Sequence, residues 1–314
     1  MKVDIVRYSP EQRQQWDAFV AKAKNATFLF CRNYMDYHAE RFTDHSLMFF
    51  ADGRLCALLP AHAVGDTLCS HDGLTYGGLL MDRQSTAGMV IELFAALNKY
   101  LKTAAFRHVV YKPTPHIYHL LPAEEDLYPL FWACKARLTS RRTSSVLPLN
   151  QAHSWRRNHR RALLRAKEHG VTVERGGNLE DFWPMLETNL KARHNTHPVH
   201  TIAEIKLLQS RFPDNIVHYS AYLDGQLTGG LTVYYTPQVI HPQYIATDER
   251  GRELGVAEAI YDFILCEKHP QMLFLDFGIS TEAGGSVLNH GLVQFKEGFG
   301  ARAVMYDTYE WDIP

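Results

Sequence analysis

Two Asp-Gly pairs set the plan of this chain. Asp52-Gly53 stands between SLMFFA (46–51) and RLCALLPAHAV (54–64), and Asp224-Gly225 stands between VHYSAYL (217–223) and QLTGGLTVYY (226–235). A two-residue Asp-Gly link between runs rich in β-branched and aromatic residues specifies a tight antiparallel hairpin, because both linking residues take positive φ at little cost. The same patterns follow each hairpin: another strand-like run, a polar loop, then an amphipathic helical pattern, at 86–101 in the first half and 253–267 in the second. The offset between the halves stays at about 170 residues, which reads as an internal duplication. A chain of 314 residues is also long for a single core. Leu147-Pro148-Leu149-Asn150 marks the boundary, giving domains 1–150 and 151–314.

The halves differ where it matters chemically. In the second, the short β-type run Tyr244-Ile245-Ala246 leads through the polar loop 248–251 into RELGVA (252–257) and a helical stripe of Leu254, Ala257, Ile260, Tyr261, Ile264 and Leu265. A glycine-bearing turn that opens a helix exposes N–H groups that no carbonyl has claimed, and the helix dipole adds positive charge there. Such a turn suits an anion such as a pyrophosphate, with Gly255 allowing close approach and Ala257 keeping the helix start uncrowded. The corresponding first-half loop, 82–86, has no Arg-x-x-Gly-x-Ala, so the first half is expected to shape a wall of the acceptor cleft instead.

Other stretches offer polar groups. SHDGLTYGGLL (70–80) carries three glycines with His71, Asp72 and Tyr76, the pattern of a loop that a ligand can approach. In WRRNHRRALLRAKEH (155–169) the inner stripe is Trp155, His159, Ala162, Leu163 and Ala166, so the basic residues face outward and could meet phosphates. RHNTHPVHT (193–201) holds His194, His197 and His200 beside Arg193. Their spacing suggests a metal, but Pro198 breaks any helix that would align them and no cysteine or carboxylate completes a zinc set. They read better as a loop that orients an acceptor. Asp276 sits within the apolar run MLFLDFGI (272–279), where a carboxylate is costly unless paired or placed at a cleft. Glu282 and Asn289 follow it, and the chain then runs through FKEGFG (295–300) to a last strand, 302–311.

These motifs carry a resemblance. Arg252-x-x-Gly255-x-Ala257 is similar to the pyrophosphate-binding signature of the GNAT acyltransferases. With the tandem halves, the SHDGLTYGG pattern and the FKEGFG ending, the whole chain resembles the Fem-like two-domain branch of that superfamily. The resemblance implies an α/β (α+β) fold of tandem GNAT-like domains, each a mixed, mostly antiparallel sheet flanked by helices. It implies acyl-CoA as co-substrate, held by Tyr244, Ile245, Ala246, Arg252, Leu254, Gly255, Val256, Ala257 and Asn289, without a metal. The acceptor would be a small-molecule primary amine, foremost the amino group of a nucleotide-linked (dTDP- or UDP-) amino sugar in surface polysaccharide synthesis. His71, Tyr76, Arg193, His194, His197 and His200 are its expected contacts, and Asp276 and Glu282 the candidate bases. Many GNAT enzymes carry a tyrosine acid on the helix before Gly-Phe, where this chain has Gln294 and Phe295. A thiolate leaves with little help, its conjugate acid having a pKa of about 8.5. Two rivals stand beside this reading: a Fem-type aminoacyl-tRNA-dependent transferase on a peptidoglycan precursor, and a degenerate GNAT fold that senses a ligand.

Composition narrows the partners. A formal net charge of −1 gives no global attraction to nucleic acid or an anionic membrane. No apolar run approaches the roughly 20 residues of a membrane span, and the N-terminus has no signal-peptide pattern. Cys31, Cys56, Cys69, Cys134 and Cys266 are scattered and odd in number, as in reduced thiols of a cytoplasm. The expected state is a cytoplasmic monomer or homodimer.

Overall fold

The computed structural model describes residues 1–267 and 269–314; of Arg193 and His194 the backbone alone is described. The chain forms two compact units, residues 1–143 with 281–288 and 304–314, and residues 144–280 with 289–303. The first half thus takes back two later segments. One of them supplies the last strand, which runs antiparallel to His108–Tyr111 with Tyr309 opposite Tyr111.

In the first unit, Val3–Arg7, Leu47–Ala51, Arg54–Leu59 and Leu80–Met81 make an antiparallel four-stranded sheet. Asp52 and Gly53 both have positive φ, 48° and 82°, as their hairpin requires. The helix Ala87–Thr103 begins at Thr86, whose side chain accepts from the Met89 N–H. It buries Val90, Leu93, Phe94, Leu97 and Leu101 with Leu47, Phe49, Ala57 and Leu59 of the sheet. Tyr111 lies deep in the same core and donates its hydroxyl to Asp126, 2.6 Å away. Burial pushes the Asp126 carboxyl up to about 7. A smaller group of strands, His62–Val64, Thr67–Cys69 and His108–Tyr111, continues the unit, the last two in parallel.

In the second unit, Thr172–Arg175, Ile216–Leu223, Gln226–Tyr235 and Val239–Thr247 are successive antiparallel neighbours. Asp224 and Gly225 turn the central hairpin at φ 52° and 76°. Phe274–Ile279 then lies parallel to Val239–Thr247, and residues 144–148 run antiparallel to Phe274–Ile279. The mixed, mostly antiparallel sheet expected of each half is present. Val256, Ile260, Tyr261 and Ile264 of the helix Val256–Cys266 pack on Tyr219, Leu231, Val233 and Leu275. The helix Arg157–Glu168 buries His159, Ala162 and Ala166 and exposes its arginines, as its pattern indicates. Among the described residues no helix is long and apolar enough to cross a membrane.

Candidate active site

The site begins where two parallel strands part. Val239–Thr247 and Phe274–Ile279 pair only at Val239↔Phe274 and Ile240↔Leu275. Beyond that point the first strand bulges, so that Thr232 faces Tyr244 while Val233 faces Pro242. Bulges increase local twist and bend a strand away from its neighbour. On its other side this strand stays paired with Gln226–Tyr235 as far as Gly229↔Thr247. The Asp248 N–H donates to the Thr228 carbonyl at 3.0 Å. That bond fixes the parity of the antiparallel ladder: Leu231↔Ile245 is a non-hydrogen-bonded pair, so the Ile245 N–H and C=O point to the parted edge.

A cavity of about 900 Å³ opens along this edge, within the second unit. Gln243 to Thr247 form one wall, and Leu186, Asn189 and Leu190 of the helix Leu179–His194 form another. Thr196 to Val199 close a third side, and Asn289, Gly291, Leu292 and Phe295 a fourth. Arg252 and Ala257, the outer positions of the RELGVA motif, also line it.

The motif helix differs from its sequence expectation in an informative way. The stretch read as a polar loop is already helical, Glu249–Leu254, because the Asp248 side chain caps it by accepting from the Gly251 N–H at 2.6 Å. The helix breaks at Gly255, which takes the left-handed conformation (φ 83°, ψ 36°), and restarts as Val256–Cys266 with no side-chain cap. A Cβ on Gly255 would lie 2.5 Å from the Ala162 carbonyl oxygen. Glycine is therefore required here both by φ and by the close passage of the helix Arg157–Glu168. Arg252 is exposed, and among the described residues it makes only long contacts, 3.4 Å to the Thr247 carbonyl and 3.5 Å to Asn189 Oδ1.

The FKEGFG ending has a packing reason too. The His159 ring lies over Gly298, where a Cβ would fall 2.2 Å from its Nε2, and sits 4.2 Å from the Phe299 ring centre. His159 Nδ1 is 2.8 Å from Glu258 Oε1 on the motif helix. The Gly298 carbonyl accepts from the Arg156 N–H at 2.7 Å. Together these contacts fix the helix Arg157–Glu168 behind Gly255.

Tyr244 lines the cavity from the strand, and His200 of the histidine loop stands behind it. The Tyr244 hydroxyl lies 2.5 Å from His200 Nδ1, and its oxygen accepts from the His200 backbone N–H at 3.3 Å. Burial raises the Tyr244 pKa to about 12, so the phenol stays protonated near neutrality.

The expected site residues are distributed as follows. Tyr244, Ile245, Ala246, Arg252, Ala257, Asn289 and His197 line the cavity. His200 stands behind it, on Tyr244. Val256 is fully buried in the core, while Leu254 and Gly255 form the helix break behind the wall. The side chains of Arg193 and His194 lie outside the described residues. Asp276 is 0 % exposed and lies away from the cavity lining; it accepts from the Ser144 hydroxyl at 2.5 Å and from the Gly278 N–H at 3.0 Å. Glu282 is an exposed residue of the first unit, in the ribbon of Thr281–Glu282 and Val287–Leu288. His71 and Tyr76 also belong to the first unit and are buried, Tyr76 donating to Thr27 Oγ1 at 3.3 Å. Burial and neighbouring histidines hold the His71 pKa down to about 3. Gly73 of that loop lies against His38, whose Nε2 would be 2.0 Å from an added Cβ, so packing already accounts for a glycine there.

Three groups went unread in the sequence. Asn189 donates to the Thr247 carbonyl at 2.8 Å, and His241 spans the parted strands. Lys296 is buried and donates to the Gly278 and Ile279 carbonyls at 2.7 and 2.8 Å. A lysine between Phe295 and Phe299 was the available signal for the last.

Comparison with known proteins agrees with this geometry. Residues 153–283 match the family model of the acetyltransferase (GNAT) domain. No curated protein matches the chain in sequence. Among solved structures, FemX is similar with a TM-score of 0.71 at 12 % identity, over 98 % of this chain and 97 % of that one. L-PGS from Bacillus licheniformis has a TM-score of 0.61 at 12 % identity, over 96 % and 91 %. A tandem GNAT protein from the clavulanic acid biosynthesis pathway has a TM-score of 0.55 at 13 % identity, over 100 % and 99 %. At these identities the likeness is one of fold, and that fold is a tandem GNAT-like one. The chain therefore carries a GNAT acetyltransferase domain in its second unit and is an enzyme of the N-acyltransferase class.

Proposed function

We propose that the second unit moves an acyl group from an acyl-CoA to a primary amine. One observation carries this reading: the parted strand edge and the Arg252–Ala257 turn face the same apolar-walled cavity. The first offers a hydrogen-bond donor to a carbonyl, and the second offers positive charge to a pyrophosphate. On this reading the acyl-CoA lies with its pyrophosphate toward Arg252 and its thioester oxygen toward the Ile245 N–H. The neutral amine attacks the thioester carbon, the C–N bond forms, and the C–S bond breaks to release CoA thiolate. An amine with a pKa of roughly 8 is already neutral in useful proportion near pH 7 and needs only a weak acceptor for its proton. The Tyr244 hydroxyl, held by His200, is the proton donor to the sulfur, standing in for the tyrosine that Phe295 replaces.

For the acceptor we place a nucleotide-linked amino sugar first. Gln243, His197 and Asn289 are polar groups on the largely apolar wall, and on this reading they meet the hydroxyls of such an acceptor. A second reading has one observation in its favour. Arg157, Arg160, Arg161 and Arg165 project from one helix, and none has an ion-pair partner among the described residues. A Fem-type transferase that takes its aminoacyl group from a charged tRNA would use such a surface.

Thiol release measured over a panel of acyl-CoAs and amines, with dTDP- and UDP-amino sugars among them, tests the proposal. Amine-dependent release of CoA is the expected result. Transfer from aminoacyl-tRNA to a peptidoglycan precursor, with no thiol released from any acyl-CoA, would establish the second reading. CoA binding without transfer from either donor would mark a sensor.

A further inference from the structure

We propose that the first unit holds a zinc-class divalent cation on His62, Cys69 and Asp72. The strand register brings the first two together. His62–Val64 and Thr67–Cys69 are antiparallel with His62 directly opposite Cys69, so both side chains leave the ribbon on one face. The chain then reverses at His71, a non-glycine residue in the left-handed region at φ 49°, which brings Asp72 back over His62. One ligand atom from each of the three residues lies within 4.8 Å of the others. Asp72 Oδ2 is 3.6 Å from His62 Nε2, and the Asp72 N–H is 3.4 Å from His62 Nδ1, both long for hydrogen bonds. Asp72 Oδ1 is held by Lys112 Nζ at 3.0 Å, which steers the carboxylate and leaves Oδ2 turned to the imidazole.

A second observation points to the same place. His71 is 3 % exposed, its ring centre lies 5.5 Å from that of His62, and among the described residues its Nδ1 has no hydrogen-bond partner. A buried imidazole nitrogen left without a partner is costly and asks for an explanation. A cation on His62, Cys69 and Asp72 gives it one, as a neighbour to a metal-bound water.

The donor set names the ion. One thiolate, one imidazole and one carboxylate suit zinc, whereas magnesium and calcium prefer all-oxygen shells. Zinc ligands at about 2.0–2.3 Å stand roughly 3.5 Å apart in a tetrahedron, so the three groups draw in slightly on binding. With two ligands on a short ribbon and one on the loop that follows, the ion would fasten the SHDGLTYGG segment to its strands.

Cobalt(II) titrated into the metal-stripped full-length protein is the test, since cobalt on a thiolate gives a near-ultraviolet charge-transfer band. The expected result is a band that saturates at one equivalent, is displaced by zinc, and is lost in Cys69→Ser. It should weaken by tenfold or more in apparent affinity in Asp72→Asn, a change at a half-exposed side chain that spares the fold. Cys56→Ser and Cys266→Ser should leave the band unchanged. A wild-type chain that develops no band overturns the proposal, as does a band that survives Cys69→Ser or disappears in Cys266→Ser. Melting curves with and without zinc give an independent reading, because a site bound only in the folded state raises Tm.

Discussion

His241 donates from Nδ1 to the backbone carbonyl of Asp276, 3.0 Å away, at the first position where their two strands no longer share backbone pairing. The same nitrogen lies 3.5 Å from Asp276 Oδ2. The side chain thus bridges the gap that the backbone has left, and it does so at the apex of the wedge that becomes the cavity. The Asp276 carboxylate is tied in turn to the Ser144 hydroxyl and the Gly278 N–H.

The first prediction follows from that arrangement. Asp276→Ala removes the acceptor of two buried donors and the charge beside His241 and Lys296, which should cost about 2–4 kcal/mol. Urea unfolding should show the loss. Asp276→Asn keeps the shape and should cost less, with activity falling in step with the folded fraction. If instead kcat/KM for the amine dropped about 100-fold in a fully folded Asp276→Asn, the carboxylate would be acting on the substrate.

The motif separates into a binding residue and a building residue. Arg252→Ala should weaken CoA binding about tenfold in calorimetry and leave Tm unchanged, since Arg252 is exposed and only loosely held. Gly255→Ala should lower stability by about 1–3 kcal/mol, because its φ is 83° and the new Cβ meets the Ala162 carbonyl. Equal CoA affinity in Arg252→Ala would remove the pyrophosphate from this turn.

What could be read in the sequence was local. The two Asp-Gly hairpins and the outward face of the arginine helix each depend on neighbours within a few residues, and each is present. The RELGVA stretch was legible as a helix opening, but its break at Gly255 depends on Ala162, some ninety residues earlier, which no local pattern records. The same limit applies to Asp276. An apolar run with one carboxylate announces that a partner exists, and Ser144 and His241 become visible as partners only once the sheet is assembled. Glu282 follows Asp276 closely in sequence, yet the chain has by then joined the other unit. The glycines around His71 and Tyr76 read as a loop that a ligand can approach, and tertiary packing buries both side chains.

Catalysis should depend on the pair Tyr244 and His200. Tyr244→Phe removes the hydroxyl that His200 Nδ1 meets at 2.5 Å and keeps the ring that packs edge-on against Trp183 at 5.3 Å. A fall in kcat of about 100-fold, with CoA affinity unchanged, is the expected outcome for a lost proton donor. A second substitution, His200→Gln, should give a smaller loss, since the phenol remains while its orientation is relaxed. Retention of full kcat in Tyr244→Phe across pH 6 to 9 would leave the thiolate to depart unaided.

The last prediction concerns pH and Lys296. Burial lowers its pKa from the ordinary 10.5 to about 8, although the Asp276 charge acts in the opposite direction. Below pH 8 the amine is charged in both folded and unfolded chains, so the cost of burying it stands in full. Between pH 8 and 10.5 the unfolded chain keeps a proton that the native chain has released, so the unfolded state binds more protons and stability rises with pH. A shift of this size corresponds to about 2–4 kcal/mol across that window. Buried thiols work the other way: Cys56, pushed up to about 11, and Cys31, to about 12, lose protons more readily when unfolded and lower stability as pH rises. Both are common to the wild-type chain and to Lys296→Met, so the difference between the two isolates the lysine. Lys296→Met also leaves the Gly278 and Ile279 carbonyls without their donor, which lowers stability at every pH and does not affect the slope. Urea midpoints at pH 7 and pH 9.5 should therefore rise, or fall less, in the wild type than in the variant. Parallel pH dependence in the two chains would show that Lys296 titrates as an exposed lysine and that the amine is not buried at the end of the strand.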